Sequence, residues 1–203
     1  MTSARSATEW STWGAHARIV VTDPDALSSA SNLIRGYLAA ADAAVNRDRA
    51  DAEIRSLDEG PNTVTPMFAR FLTDALAAAR TTEGALDPTA SAPAPQSWRS
   101  ITVDGTEVTL PAGVELDLTA TARASSADHC ASTTAELLGC GVLVALGGDI
   151  ATAGTTPPAA GRSRSRTCRA TPPVRCRSRR VRPSRPPAPS SRCIPTRSRC
   201  GGP

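Results

Sequence analysis

Hydrophobic and polar positions along the first 150 residues alternate between two periods. "HARIVVTD" (16–23) is rich in β-branched residues and predicts a strand leading into a helix. Asp23 is placed to cap that helix, and Pro24 to open it, where its missing N–H costs nothing. Leu27, Ala30, Ile34, Tyr37, Leu38 and Ala41 then recur at helical spacing and give one apolar face. "NRDRADAEIRSLDEGPN" (46–62) is charged and turn-like. A second helix begins at Thr65 and Pro66, carries Phe68, Phe71, Leu72, Ala75, Leu76 and Ala79 on one face, and finds a C-cap in Gly84. "ALDPTASAPAPQS" (85–97) reads as loop. "WRSITVDGTEVTLP" (98–111) predicts two alternating strands about Asp104 and Gly105. A short strand, "VELDL" (114–118), runs into a helix over about residues 120–138. "GVLVALGG" (141–148) is an unbroken apolar run closed by two glycines, a buried type of strand. The mixture predicts an α+β (mixed α/β) domain over residues 1–154, without internal repeats.

Beyond Gly154 neither period survives, and ten of the 17 prolines fall in residues 155–203. Large apolar residues are scarce there, so the segment has little to bury against the entropy of ordering, about 1–2 kcal/mol per residue. The expectation for 155–203 is a disordered Arg/Pro/Ser-rich tail.

Charge divides at the same place. Residues 1–149 hold all 19 acidic residues and ten arginines, a net of −9; residues 150–203 hold thirteen arginines and no acid, a net of +13. Every basic residue is Arg, a bias expected of a GC-rich gene. Two readings of the tail follow. It is a binder of polyanions, non-specific because no aromatic residue is present to stack on a base. Alternatively, it is an out-of-frame translation, since misread GC-rich codons yield Arg, Pro, Ser, Ala, Gly, Thr and Cys. No specific nucleic-acid partner is expected.

The N-terminus lacks the apolar stretch of a secretory leader, and no run approaches the length of a membrane span. The default expectation is cytoplasmic. Cys168, Cys176, Cys193 and Cys200 have no paired spacing that suits zinc, and Cys130 and Cys140 read as small buried thiols.

Candidate chemistry gathers in "TEGALDPT" (82–89), "ELDLTATARASSAD" (115–128) and "CGVLVALGGDIATAG" (140–154). Asp87 precedes a proline and is either held for a ligand or simply a turn former. Asp117 stands before a helix start, where free N–H groups receive an anion or the aspartate itself caps them. Gly147 and Gly148 follow a strand and permit close backbone approach, or only a tight turn. His16 and His129 are isolated.

In order, these stretches resemble the ApbE family, flavin transferases that move FMN from FAD onto a protein threonine. "EWSTWGAHARIVVTDPDAL" is similar to the family's first strand, with its Met-Gly-Thr. "RDRADAEIRSL" is similar to its aromatic–Arg–x–Asp–Ser–Glu segment, "EGALDPT" to its Asp-Gly-x-Phe-Asp-Pro-Thr, and "ELDLTATARASSAD" to its Asp-Leu-Gly-x-x-x-Lys-Gly-x-x-x-Asp. "GVLVALGGDIATAG" resembles its Val-Asn-x-Gly-Gly strand. The resemblance implies a partial, T-fold-related domain, FAD as substrate, Mg²⁺, and a threonine of a target flavoprotein as acceptor. It implies that Ala85, Leu86, Asp87 and Asp117 contact FAD. Arg123 takes the place of a Lys at the flavin nucleotide, and Ala120 gives a backbone carbonyl to the metal.

The departures are specific. Trp13 and Ala15 replace the Met and Thr, and Asp48 stands where an aromatic ring packs near the flavin. Thr119 and Ala124 replace glycines, and Ala145 replaces the Asn before Gly-Gly. The family's later His-x-(Ile/Leu)-x-Asp-Pro and Asp-x-x-x-Thr, which complete the Mg²⁺ site, do not occur after Gly154. The resemblance therefore implies a truncated or frameshifted transferase that is weakly active or inactive.

Overall fold

The computed structural model describes residues 6–155. The readings made for the tail, whether disorder, polyanion binding or an altered frame, fall on 156–203 and lie outside the described residues.

Strands β1 (Ser6–Thr12) and β2 (Ala15–Val21) form an antiparallel hairpin with Thr12 opposite Ala15. Its two turn residues, Trp13 (φ 50°) and Gly14 (φ 63°), are both left-handed, as a two-residue hairpin loop requires. Along β2, Ala17, Ile19 and Val21 face inward while His16 and Arg18 face out, where both reach Glu9 on β1. Asp23 accepts from the Asp25 N–H at 3.0 Å, but what it caps is a single 3-10 turn, Pro24–Ala26. Helix α1 (Leu27–Val45) starts after that turn and buries Ala30, Ile34, Leu38, Ala41, Ala44 and Val45.

The charged stretch that follows holds more order than its composition suggests. It contains a 3-10 turn, Glu53–Ser56, and a strand, β3 (Gly60–Thr63). The Glu53 carboxylate accepts both the N–H (2.5 Å) and the hydroxyl (2.6 Å) of Thr65. The same Thr65 hydroxyl accepts from the Phe68 N–H at 3.3 Å and caps helix α2 (Pro66–Thr81). That helix closes in a Schellman arrangement: Gly84 N–H donates to the Ala79 carbonyl and Glu83 N–H to that of Arg80. Glu83 (φ 54°) holds the left-handed position one residue before the glycine expected there.

Strand β4 (Thr89–Ser91) and a 3-10 turn (Ser97–Ser100) burying Trp98 lead to β5 (Thr102–Asp104) and β6 (Glu107–Leu110). The hairpin expected there is present, with its turn at Gly105 and Thr106, one residue later than the sequence suggests. The "WRS" segment belongs to the 3-10 turn rather than to a strand. Strand β7 (Glu115–Leu116) precedes helix α3 (Thr119–Leu138). Gly139 ends that helix at φ 64°, before β8 (Val142–Leu146), the turn at Gly147 and Gly148, and β9 (Asp149–Ala153).

The strands form three antiparallel sheets, ordered β1-β2-β8-β9, β3-β6-β5 and β4-β7. Helices α1 and α3 pack on the first sheet, and α2 packs on both helices, on β5 and on the Trp98 turn. The buried face of α3 is Ala122, Ser126, Ala127, Cys130, Ala131, Thr134 and Ala135, small side chains that let the helix lie close to β8 and β9. Fully burying a side chain such as Ile19, Ile34, Phe68 or Leu146 stabilises by about 1.5–3 kcal/mol.

Cys130 and Cys140 are buried free thiols, and burial pushes the Cys130 thiol up to about 12, so it is not a thiolate at neutral pH. Among the described residues no helix is long and apolar enough to cross a membrane.

Candidate functional site

Three segments meet around a cleft of about 380 Å³: the chain leaving α1, the Glu53–Ser56 turn, and the β7–α3 junction. Its lining is Asn46, Arg47, Asp48, Arg55, Asp117, Thr119 and Arg123. That volume lies within the range of small-molecule sites, roughly 300–1,000 Å³.

The first wall is fixed by hydrogen bonds made behind it. Asn46 closes α1, donating its side-chain amide to Asp42 Oδ1 (2.8 Å) and accepting the Asp48 N–H (3.0 Å). Arg49 donates to Asp42 Oδ2 at 2.9 Å and grips Asp51 with two bonds of 3.0 and 2.7 Å. Hydrogen bonding to Asp51 raises the Arg49 pKa, and the same bond lowers that of the Asp51 carboxyl. The pair is exposed, so it fixes the loop's shape and contributes little to stability. The outcome is a loop that presents Arg47 and Asp48 to the cleft. Arg47 donates to Glu115 Oε2 at 3.0 Å, joining this wall to β7, and Arg55 Nη1 reaches the Arg47 carbonyl at 3.4 Å.

The opposite wall is the start of α3. Asp117 Oδ1 accepts from the Thr119 N–H at 2.9 Å, so its carboxylate takes up the first free donor of the helix. One turn further, Arg123 donates from Nη2 to the Trp13 carbonyl at 2.5 Å and lies over the Trp13 ring at 5.5 Å from its centroid. The Arg123 Nε is buried and has no hydrogen-bond partner.

The residues singled out from the sequence are thus brought only partly together. Asp117 and Arg123 line the cleft. Asp87 stands beside it, because the Asp117 N–H donates to the Pro88 carbonyl at 2.8 Å where β4 pairs with β7. The Asp87 carboxylate is turned on its own loop, accepting from the Thr89 N–H (2.9 Å) and hydroxyl (2.7 Å). Ala85 and Leu86 are exposed and do not line the cleft. Gly147 lies next to the β1–β2 turn, its N–H donating to the His16 carbonyl at 2.8 Å. His129 is away from the cleft, stacked on Tyr37 with ring centroids 4.5 Å apart. Arg47, Arg55 and Asn46 were the lining residues not singled out from the sequence. Their only signal was the dense charge of "NRDRADAEIR".

The fit to a metal is poor. Ala120 is exposed in the first turn of α3, where its carbonyl is directed along the helix toward the N–H four residues on. Among the described residues no group of three or more His, Cys, Asp or Glu side chains is placed to hold a metal ion. The described residues do not by themselves build a magnesium site.

The class is a mixed antiparallel α+β fold with an arginine-lined cleft at a helix start. More specifically, the fold is that of the ApbE flavin transferases. The apo form of the Pseudomonas stutzeri flavinyl transferase ApbE superposes with a TM-score of 0.68 at 16% identity, over 81% of this chain and 66% of that one. The Vibrio cholerae flavin transferase ApbE gives 0.58 at 18% identity, over 72% and 58% of the two chains. An ApbE protein from Thermotoga maritima gives 0.61 at 16%, over 73% and 59%. The chain therefore spans less than two thirds of the length of these solved structures. No family model and no curated protein matches it.

Proposed function

We propose that this chain derives from an FAD:protein FMN transferase, and that the cleft binds the diphosphate of FAD. The observation that carries the reading is the convergence of Arg47, Arg55 and Arg123 on one cleft, in a fold shared with flavin transferases. Guanidinium groups suit phosphate oxygens because they donate in a planar fork and remain charged. Asp117, with Oδ1 committed to the Thr119 N–H, keeps its other oxygen for a ligand hydroxyl. Ala85, Leu86 and Asp87, on the loop tied to Asp117 through Pro88, are the proposed contacts for the part of FAD that extends past the diphosphate.

In the transfer this reading implies, the hydroxyl oxygen of an acceptor threonine attacks the phosphorus of the FMN half. The new O–P bond replaces the bond to the bridging oxygen, AMP departs with that oxygen, and the hydroxyl proton is released. The chain's contribution is to hold the diphosphate and offset its charge. Magnesium and the threonine acceptor belong to the same proposal. Residues 150–203 contain no Asp or Glu and so offer a metal no carboxylate, and the expectation is FAD binding with weak or absent transfer.

The test is to incubate the full chain with FAD, Mg²⁺ and a threonine-containing acceptor peptide. Flavin fluorescence would report binding, and mass spectrometry the covalent FMN. Binding with little transfer is the expected outcome. Efficient flavinylation overturns the expectation of weakness, and failure to bind FAD overturns the functional reading itself.

A further inference from the structure

We propose that this cleft recognises the diphosphate and not the isoalloxazine ring, so that it takes nucleoside diphosphates as readily as it takes FAD. The inference rests on the nucleotide reading of the cleft given above, and concerns which part of the ligand is read.

Three arginines, two aspartates, an asparagine and a threonine make up the lining, with no aromatic and no large apolar side chain among them. A flat tricyclic ring is held chiefly by stacking and apolar contact, and the lining supplies neither.

None of the rings elsewhere in the described chain is placed in the cleft lining. The protein has three Trp, one Tyr and two Phe, all within the described residues. Phe68, Phe71 and Trp98 are buried in the core. Trp13, the aromatic nearest the cleft, is 5% exposed and is covered by the guanidinium of Arg123. Tyr37 stacks on His129 and bonds Arg70. Trp10 carries the Arg35 guanidinium at 3.9 Å from its ring centroid. Each ring that is not buried already has a partner on its face.

Donors for phosphate are by contrast in place. The Arg123 Nε is buried and unpartnered beside a lining that also holds Thr119 at the start of α3. Among the described residues the Arg55 side chain makes one bond, a long 3.4 Å contact to the Arg47 carbonyl, which leaves most of its fork for a ligand. Arg47 is shared with Glu115, so one of the three guanidinium groups is already partly neutralised.

The experiment is equilibrium binding of ADP, FAD, AMP and riboflavin to the full chain at one fixed ionic strength. ADP and FAD are expected to bind within about threefold of each other, AMP about tenfold more weakly, and riboflavin not at all. Arg123→Ala removes the anchor of the Trp13 turn and tests folding as well as binding. Arg55→Ala is therefore the second variant, expected to weaken ADP and FAD alike by about tenfold with an unchanged circular dichroism spectrum. If FAD binds about thirtyfold or more tightly than ADP, or riboflavin competes with it, the inference falls while the flavin-transferase reading stands. If none of the four binds, both fall together.

Discussion

Ser126 sits on the inner face of α3, fully buried, with its hydroxyl bonded to no group among the described residues. A buried hydroxyl without a partner costs about 1–3 kcal/mol of desolvation that no contact returns. Ser126→Ala keeps the small volume that α3 needs against the sheet and removes the orphan group. The melting temperature is expected to rise by roughly 2–4 °C per kcal/mol gained for a chain of this size, checked by thermal unfolding. Trp13 Nε1 and Arg123 Nε are orphaned in the same sense, but Arg123 belongs to the cleft lining, where the proposed diphosphate would bring acceptors. The backbone of Trp13 sharpens that contrast. A bulky residue at φ 50° is uncommon and strained, and it persists here because burial and the Arg123 bond to its carbonyl fix it. At this scale the sequence showed only part of the site. Asp117 could be singled out because it stands between an apolar strand and a helix start, and Arg123 because the resemblance puts it where a Lys stands. Arg47 and Arg55 could not, because a charged loop has no period and their convergence depends on how Arg49, Asp42 and Asp51 fold it.

Where the three helices meet, Tyr37 of α1, Arg70 of α2 and His129 of α3 form one contact. Arg70 bonds the Tyr37 hydroxyl and approaches His129 Nδ1 at 3.3 Å. Burial first, and the Arg70 charge second, lower the His129 pKa from its ordinary 6.5. Above that value His129 is neutral in the folded and unfolded chains alike, and its contribution is fully present. As pH falls through 6.5 the unfolded chain takes up the proton first, so stability declines until the lower folded value is passed. Urea unfolding from pH 7.5 to 5 is expected to show this loss, and His129→Gln to flatten the part of the slope that belongs to this residue. The helices were legible because α1 and α2 carry large side chains on one face at a 3.6-residue period, with Pro66 marking the start of α2 and Pro24 the 3-10 turn that precedes α1. The strands were legible only where β-branched residues cluster, as in β2, β6 and β8. By contrast, β1 is "SATEWST", β3 contains Gly-Pro, and β4 has three residues. Such segments become strands through the neighbours they pair with, information that lies elsewhere in the chain.

Across the whole molecule, the principal sheet is assembled from the two ends of the described chain. The β1–β2 hairpin pairs with the β8–β9 hairpin, and the Gly141 N–H meets the Thr22 hydroxyl across 119 residues at 2.7 Å. Local helical order cannot substitute for that closure, because α1 and α3 pack on the sheet it completes. Refolding from denaturant, followed by tryptophan fluorescence, is therefore expected on the millisecond-to-second scale of non-local β pairing, about a thousandfold slower than simple helical bundles. A microsecond phase carrying the full amplitude would contradict it. The same topology sets a timetable during synthesis. Translation proceeds at about 5–20 residues per second, so β2 emerges on the order of ten seconds before the strand that will cover its free edge. Throughout that interval Ile19 and Val21 have only β1 beside them, and the nascent hairpin carries an open apolar edge that invites aggregation.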